Sequence, residues 1–214
     1  MKPKNIILLR HAESLGNADK EIYSKIPTHA LGVTEKGKSQ AQEAAKKIID
    51  ITGTTSALKT YVSPYKRTRE TLQELQKTSL NLYPIYEDPR LREQDHGHLR
   101  NDEEREKLKK ECFSYSQFYY RFPNGESGAD VYSRVSSFLE SLHRSFTDNF
   151  YENYLIITHG LTAKIFLMRW FHKTVEEYES WDHLENCGMY IMHLNSFSEL
   201  YEFPLNINYW KDKE

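Results

Sequence analysis

An unbroken apolar run near the start of the chain, from Ile6 to Leu9, is followed at once by Arg10 and His11. A strand that faces solvent on one side alternates apolar and polar residues, whereas a strand covered on both sides carries a continuous apolar run. Residues 5–9 are therefore predicted to form a strand that is buried on both faces and has two basic side chains beyond its carboxyl end.

Four later segments form similar short runs, and helical patterns lie between most of them. Strands that alternate with helices predict an α/β fold of three layers, in which a mostly parallel central sheet carries helices on both faces. Ligands of such sheets bind beyond the carboxyl ends of the strands. The later strands are predicted over Thr60 to Ser63, Tyr83 to Tyr86, Tyr154 to Thr158 and Met189 to Asn195.

Helices are predicted where a capping residue precedes apolar residues at helical spacing. Thr34 is the predicted N-cap of the first helix, and the second is predicted to open with Ser63 as its cap and Pro64 at its first position. The four predicted helices cover 35–50, Ser63 to about 76, about 129–146, and the residues from Gly160 onward.

A single domain is expected over residues 1–214, because a chain of this length can form one sizeable core. Within it, residues from about 98 to 122 are first charged and then aromatic, which predicts a helical insertion. Two interpretations of the insertion are open: it caps the functional site, or it forms an amphipathic helix pair on the surface.

Composition restricts the partners of the chain. Lysine and arginine number 29 against 31 aspartate and glutamate residues, a formal net charge of −2, and no long block of like charge is present. Neither nucleic acid nor a membrane is therefore expected as a partner, and the apolar runs are too short to span a bilayer. Cys112 and Cys187 have no metal-ligand spacing and are predicted to be reduced thiols in the cytoplasm. A small molecule is the expected ligand, and a homodimer is left open.

The densest group of reactive side chains is the stretch Leu-Arg-His-Ala-Glu-Ser-Leu-Gly-Asn over residues 9–17, called the signature loop below. A basic pair followed by small and amide-bearing residues offers charge, hydrogen-bond donors and a nucleophile to one anion. The pattern resembles the signature Arg-His-Gly/Ala-Glu-Ser-x-x-Asn of the histidine phosphatase (phosphoglycerate mutase-like) superfamily. Arg10 and His11 alone would more often be a surface pair, but three further segments follow in the order of that family.

The first of these segments runs from Ser63 to Thr71 and resembles the Ser-Pro-x-x-Arg motif of the family. Arg67 and Arg69 cannot both face one site, because positions two apart on a helix point in different directions. The resemblance selects Arg67, and Arg69 is interpreted as a solvated helix charge.

The second segment runs from Arg90 to Gly97 and resembles the family motif Leu-x-Glu-x-x-x-Gly, which carries the general acid. Glu93 matches the acid position, and Asp95 is its nearby alternative. His96 and His98 would share one face of an extended chain, but no carboxylates or cysteines at metal-ligand spacing accompany them, so no metal is expected.

The third segment is a predicted buried strand that ends in Thr158, His159 and Gly160. It resembles the second histidine motif of the family, and the backbone amides at the start of the following helix would attract phosphate. Residues 123–127 also resemble the Gly-Glu-Ser segment of the family, which is a loop that leads into a helix near the site.

The resemblance implies a metal-independent phosphomonoester phosphatase without a cofactor, in which His11 is the covalent nucleophile. Alternatives are a cofactor-dependent phosphoglycerate mutase and a non-catalytic phosphate-binding scaffold. The mutases that resemble this family bind the substrate carboxylate with a tyrosine and a lysine. In this chain His96 replaces the tyrosine and Glu104 falls near the position expected for the lysine, so the mutase is disfavoured. The implied catalytic residues are His11, Glu93, His159, Arg10 and Arg67, and the implied phosphate-binding residues are Arg10, Ser14, Asn17, Arg67, His159 and Gly160.

Overall fold

The computed structural model describes residues 2–97, 102–147 and 150–204. Five strands form one sheet in the order β3-β2-β4-β1-β5, in which β5 is antiparallel to β1 and the other pairs are parallel. The predicted mostly parallel sheet is therefore confirmed. The strands are β1 (Asn5–Arg10), β2 (Ala57–Val62), β3 (Asn81–Glu87), β4 (Asn153–Thr158) and β5 (Met189–His193).

Seven α-helices lie in the described residues, together with short 3-10 turns. Four of them match the four predicted helices, and the helix over 102–115 falls within the predicted insertion. The helices are α1 (Leu15–Ala18), α2 (Glu35–Thr52), α3 (Lys66–Gln76), α4 (Asp102–Tyr115), α5 (Gly128–Arg144), α6 (Gly160–Trp170) and α7 (Val175–Glu179).

Both faces of the sheet are covered by helices, which explains the unbroken apolar run in β1. Ile6 and Leu8 belong to a core with the apolar faces of α5 and α6, whereas Ile7 and Leu9 belong to a second core with α2 and α3. Successive residues of a strand point to opposite faces, so each of the four side chains is buried on one side or the other. The predicted three-layer α/β fold follows from this arrangement.

The register of β1 against β4 brings the two motif histidines together. Arg10 is paired with Thr158 in parallel strands, so His11 and His159 are the next residues along neighbouring chains. The backbone N–H of His11 also donates a hydrogen bond to the carbonyl oxygen of Thr158 (3.0 Å). The carboxyl edge of the sheet therefore holds both histidines side by side.

The prediction that Ser63 caps the second helix is wrong. The helix begins at Lys66 and its N-cap is Tyr65, so Pro64 precedes the helix. Ser63 instead continues the strand pairing, because its backbone N–H donates to the carbonyl oxygen of Ile157 (3.0 Å). This pairing turns the Ser63 side chain toward the neighbouring strand end rather than toward the helix.

The insertion is helical over α4, while residues 98–101 lie outside the described part of the chain. Arg105 of α4 is 6% exposed. Its guanidinium lies over the ring of Tyr23 (5.2 Å to the centroid) and donates to the carbonyl oxygen of Lys20 (3.0 Å). The insertion therefore packs on the segment that follows the signature loop. No helix in the described ranges is both long and apolar enough to cross a membrane.

Candidate active site

His11 directly follows β1, and one of its two ring nitrogens is unprotonated. Nδ1 lies 2.7 Å from the carbonyl oxygen of Ala12. A carbonyl only accepts, so Nδ1 carries the hydrogen and donates it. The Nε–H of Arg67 donates to Nε2 (3.1 Å), which must therefore present its lone pair. The nucleophile predicted from sequence is thus in the tautomer that has its lone pair on Nε2, where it accepts from Arg67.

Electrostatics keep both site histidines neutral. His11 and His159 are fully or almost fully buried, and their rings lie 5.2 Å apart. Burial lowers the pKa of His11 well below its usual value, and the charges of Arg67 and Arg10 lower it further. Burial is also the largest cause of the lowered pKa of His159, followed by the charge of Arg67. A neutral imidazole is the form that can attack phosphorus.

Arg67 lies beside His11, whereas Arg69 points away from it. The Arg67 side chain lies in the first turn of α3, is 4% exposed and donates a second hydrogen bond to the carbonyl oxygen of Thr28 (2.7 Å). Arg69 is exposed and lies 3.9 Å from Glu87. The helix therefore separates the two arginines as its geometry requires.

Arg10 is anchored at one end of its guanidinium and has a free donor at the other. Its Nη1 donates to the carbonyl oxygen of Leu184. Its Nε is buried and has no hydrogen-bond partner within the described residues. An unpaired buried donor is costly, so an anion that brings an acceptor oxygen to this nitrogen would bind favourably.

His159 has a second such donor. Its Nε2 lies 2.8 Å from the hydroxyl oxygen of Ser63. That oxygen already accepts a long bond from the backbone N–H of Tyr65 (3.4 Å), and its hydrogen has no other acceptor among the described residues. Ser63 therefore donates to Nε2, which leaves the hydrogen of His159 on Nδ1. This Nδ1 is buried and unpartnered in the described part of the chain.

Asn17 and Ser14 are joined to each other beside His11. The Oδ1 of Asn17 accepts from the backbone N–H of Ser14 (3.0 Å) and from its hydroxyl (2.9 Å). The amide nitrogen is the end of Asn17 left for an anion, whereas the Ser14 hydrogen is already used. A direct role of Ser14 in phosphate binding stays a prediction.

Glu93 lies against the amino-terminal end of α6. Its carboxylate accepts from the Thr162 hydroxyl (3.0 Å) and from the backbone N–H groups of Thr162 (3.3 Å) and Leu161 (3.4 Å). Burial lowers the pKa of Arg10 and of Arg67, and the Glu93 charge is the strongest opposing influence on each. The carboxylate is therefore close to both arginines and to the helix that begins after His159.

Asp95, the alternative acid, is turned away from this cluster. It is exposed, and its Oδ1 accepts from the backbone N–H of Gly97 (2.8 Å). Its own backbone N–H donates to Glu126 Oε2 (3.1 Å), a carboxylate that also pairs with Arg134. Glu126, from the predicted Gly-Glu-Ser segment, thus fixes the loop that carries Glu93. The geometry favours Glu93 over Asp95 as the acid.

The remaining residues that the sequence analysis considered are Gly160, His96 and His98. A side chain at Gly160 would lie 3.7 Å from the Nε of Arg10, which places the start of α6 beside that unpaired donor. His96 packs on Phe122 with ring centroids 4.4 Å apart, and His98 lies outside the described residues. The roles of Ser63, Leu184 and Asn186 were not predicted, because no local pattern marks them.

The described side chains together form a site for one anion. The donors of Arg10 and Arg67, the Nδ1 of His159 and the amide of Asn17 can surround phosphate oxygens, while His11 Nε2 offers a lone pair to phosphorus. A nearby carboxyl group is placed to exchange a proton with a leaving oxygen. This fold and site define an enzyme that acts on phosphoryl groups.

The comparison with known proteins gives the family. The model of the histidine phosphatase superfamily, branch 1, matches residues 6–200, and the chain belongs to this superfamily. A relative from Arabidopsis thaliana, named a phosphoglycerate mutase-like protein, is 41% identical over 96% of this chain and 79% of the relative. A broad-range acid phosphatase from Saccharomyces cerevisiae is 28% identical over 100% of this chain and 92% of the relative.

Solved structures agree with the fold. A mycobacterial glucosyl-3-phosphoglycerate phosphatase, solved with VO3, superimposes with a TM-score of 0.73 and 17% sequence identity. The match covers 97% of this chain and 98% of the other. The predicted resemblance to the phosphoglycerate mutase-like fold is therefore confirmed.

Proposed function

We propose that this protein is a phosphomonoester phosphatase that acts through a phosphohistidine intermediate on His11. The observation that carries the proposal is the neutral His11, whose Nε2 lone pair lies beside Arg67 and near the unpaired buried donors of Arg10 and His159. The positive charges of Arg10 and Arg67 converge on this site, and such an arrangement is stabilised when an anion binds.

In the first step, the Nε2 lone pair of His11 forms a bond to phosphorus while the bond to the ester oxygen breaks. The transition state carries its charge on the equatorial oxygens, which the arginines, Asn17 and His159 Nδ1 would stabilise. A protonated Glu93 carboxyl donates its proton to the leaving oxygen, so an alcohol departs. No metal ion takes part in this scheme.

In the second step, water attacks the phosphohistidine. Glu93, now ionised, accepts a proton from the water as its oxygen bonds to phosphorus, and the bond to His11 Nε2 breaks. Inorganic phosphate leaves, and both residues return to their starting states.

A phosphatase is favoured over a cofactor-dependent mutase by the surroundings of Glu93. A mutase must hold the carboxylate of phosphoglycerate and return the phosphoryl group to a second hydroxyl, which requires tight positioning and exclusion of water. At the positions expected to bind that carboxylate, His96 packs against Phe122 and Glu104 carries the wrong charge. The name of the yeast relative supports hydrolysis of several monoesters.

A small phosphomonoester is the proposed ligand, and no nucleic acid or membrane partner is proposed. The cytoplasmic location stays a prediction, with which the unpaired Cys112 and Cys187 agree.

A panel of phosphomonoesters tests the function. Purified protein should release inorganic phosphate from several sugar, alkyl and aryl monoesters, at the same rate with and without a chelator, and His11→Ala should be inactive. A non-catalytic scaffold would bind inorganic phosphate without turnover. Conversion of 3-phosphoglycerate to 2-phosphoglycerate in the presence of 2,3-bisphosphoglycerate, at a rate above that of phosphate release, would establish a mutase instead.

A further inference from the structure

The turn over residues 185–188 contacts the backbone at the start of the signature loop. Because β5 is antiparallel to β1, the beginning of β5 lies at the edge of the sheet where β1 ends. The backbone N–H of Arg10 donates to the carbonyl oxygen of Gly188 (3.0 Å), and that of Cys187 donates to the carbonyl oxygen of His11 (3.3 Å). The turn is thus fixed relative to the loop that carries the nucleophile.

Asn186 in this turn joins two residues of the site. Its Nδ2 donates to the carbonyl oxygen of His11 (3.1 Å) and to the Oδ1 of Asn17 (3.2 Å). An amide nitrogen has two hydrogens, so both are used on the signature loop. Asn186 therefore links the backbone of the nucleophile to an anion-binding side chain.

This contact determines which way the Asn17 amide faces. Together with the two bonds from Ser14, the Asn17 Oδ1 accepts from three donors. A flipped amide would place its own N–H groups against the same donors, so the observed orientation is strongly preferred. In this orientation the Asn17 nitrogen is the group available to the phosphoryl oxygens.

We propose that Asn186 is a positioning residue that holds the Asn17 amide with its nitrogen toward the phosphoryl group, a role that rests on the proposed function. Asn186 acts through Asn17 and does not itself bind the substrate. Removing its side chain leaves Ser14 as the remaining restraint on Asn17, so anion binding weakens but is not lost.

A double-mutant cycle on the full chain tests the proposal, with binding of inorganic phosphate measured by calorimetry and kcat/KM measured on one monoester. Asn186→Ala should weaken phosphate binding by up to about tenfold, because it removes the partly buried hydrogen bond that orients the Asn17 amide. Adding Asn186→Ala to Asn17→Ala should cause less than about a twofold further loss, because both changes remove one interaction. Additive losses in the double variant would overturn the proposal.

Two further variants keep the test decisive. Asn195→Ala is the matched control, because its Nδ2 donates to Glu202 Oε1 (2.9 Å) on the exposed surface, and it should leave phosphate binding unchanged. Asn186→Asp keeps the size of the side chain but places a carboxylate oxygen against the carbonyl oxygen of His11 and the Oδ1 of Asn17, which are both acceptors. Unaltered phosphate binding in this variant would therefore also refute the role. If the wild type binds phosphate but turns over no monoester, the proposed function fails, while the binding cycle still tests Asn186.

Discussion

Replacing Ser63 with alanine tests whether the Ser63 hydroxyl keeps His159 in the tautomer that carries its hydrogen on Nδ1. Ser63 and His159 are both fully buried, and their side chains are 2.8 Å apart. In Ser63→Ala, the Nε2 of His159 loses its donor and is left buried without a partner. This should lower the free energy of unfolding by about 1–3 kcal/mol.

The same change should reduce catalysis. The Ser63 bond keeps the hydrogen of His159 on Nδ1, where it is available to a phosphoryl oxygen. A net hydrogen bond of about 1–1.5 kcal/mol favours this tautomer and ring position by roughly five- to tenfold. We therefore expect kcat/KM to fall by about that factor. Ser63→Thr retains the hydroxyl and should recover most of the lost activity.

The assay is urea unfolding beside steady-state kinetics, and Thr60→Val is the control. The Thr60 hydroxyl is fully buried and donates to the carbonyl oxygen of Leu58 (3.0 Å) in the middle of β2. This control should lose stability without losing kcat/KM. Unchanged kinetics in Ser63→Ala, or an equal loss in Thr60→Val, would refute the proposed role of the Ser63 hydrogen bond.

Three further predictions concern the acid, the loop that carries it and the nucleophile. Glu93→Gln should slow hydrolysis of alkyl phosphates far more than that of p-nitrophenyl phosphate, whose leaving group hardly needs a proton, and Asp95→Asn should matter less; equal losses on both substrates would exclude Glu93 as the acid. Gly97 and Gly53 both have positive φ (73° and 82°), so Gly53→Ala should cost about 1–3 kcal/mol in unfolding experiments, and Gly97→Ala should cost more. Only Gly97→Ala should also lower activity, because its added Cβ would overlap the carbonyl oxygen of Pro123. Gly53→Ala is the control, because the space around Gly53 is open. Equal effects of the two variants on activity would contradict this prediction. The pKa of His11 is lower in the folded state than in the unfolded state. As pH falls through the unfolded-state pKa, His11 is protonated in the unfolded chain but not in the folded protein, so the free energy of unfolding should decline on acidification. His11→Ala should reduce that decline by up to about 1.4 kcal/mol per pH unit in denaturation curves, and an unchanged slope would show that His11 titrates normally.

The order of strands and helices, and the residues at the strand ends, could be predicted because local patterns determine them. A buried parallel strand has a distinctive composition, and its carboxyl end is where ligands of such sheets bind. Arg10 ends one such strand, His11 and His159 follow two of them, and the parallel pairing of β1 with β4 brings these residues together. The angular spacing of a helix indicates that Arg67 and Arg69 cannot both face one site, and the resemblance to the family motif selected Arg67.

Contacts between distant segments could not be predicted. Ser63 and Pro64 form a sequence that is typical of a helix start, but the pairing of Ser63 with Ile157 overrides that local preference. The hydrogen bond from Ser63 to His159 spans 96 positions, and no local pattern marks it. The burial of Arg105 on Tyr23 likewise depends on how the insertion packs.

The direction of the last strand explains why the turn before it was missed. A strand parallel to its neighbours would bring residues after its end to the site, whereas antiparallel β5 brings the residues before it. Leu184 and Asn186 reach Arg10 and Asn17 for this reason. Length and composition do not distinguish a parallel edge strand from an antiparallel one.

Trapping the covalent intermediate tests the central claim most directly. Protein mixed with a ³²P-labelled phosphomonoester and quenched within the first turnovers should carry label that is stable in alkali and lost in acid, as expected for phosphohistidine. Peptide mapping should place the label on His11, and His11→Ala should carry none. Acid-stable label, or label that persists in His11→Ala, would contradict the phosphohistidine mechanism.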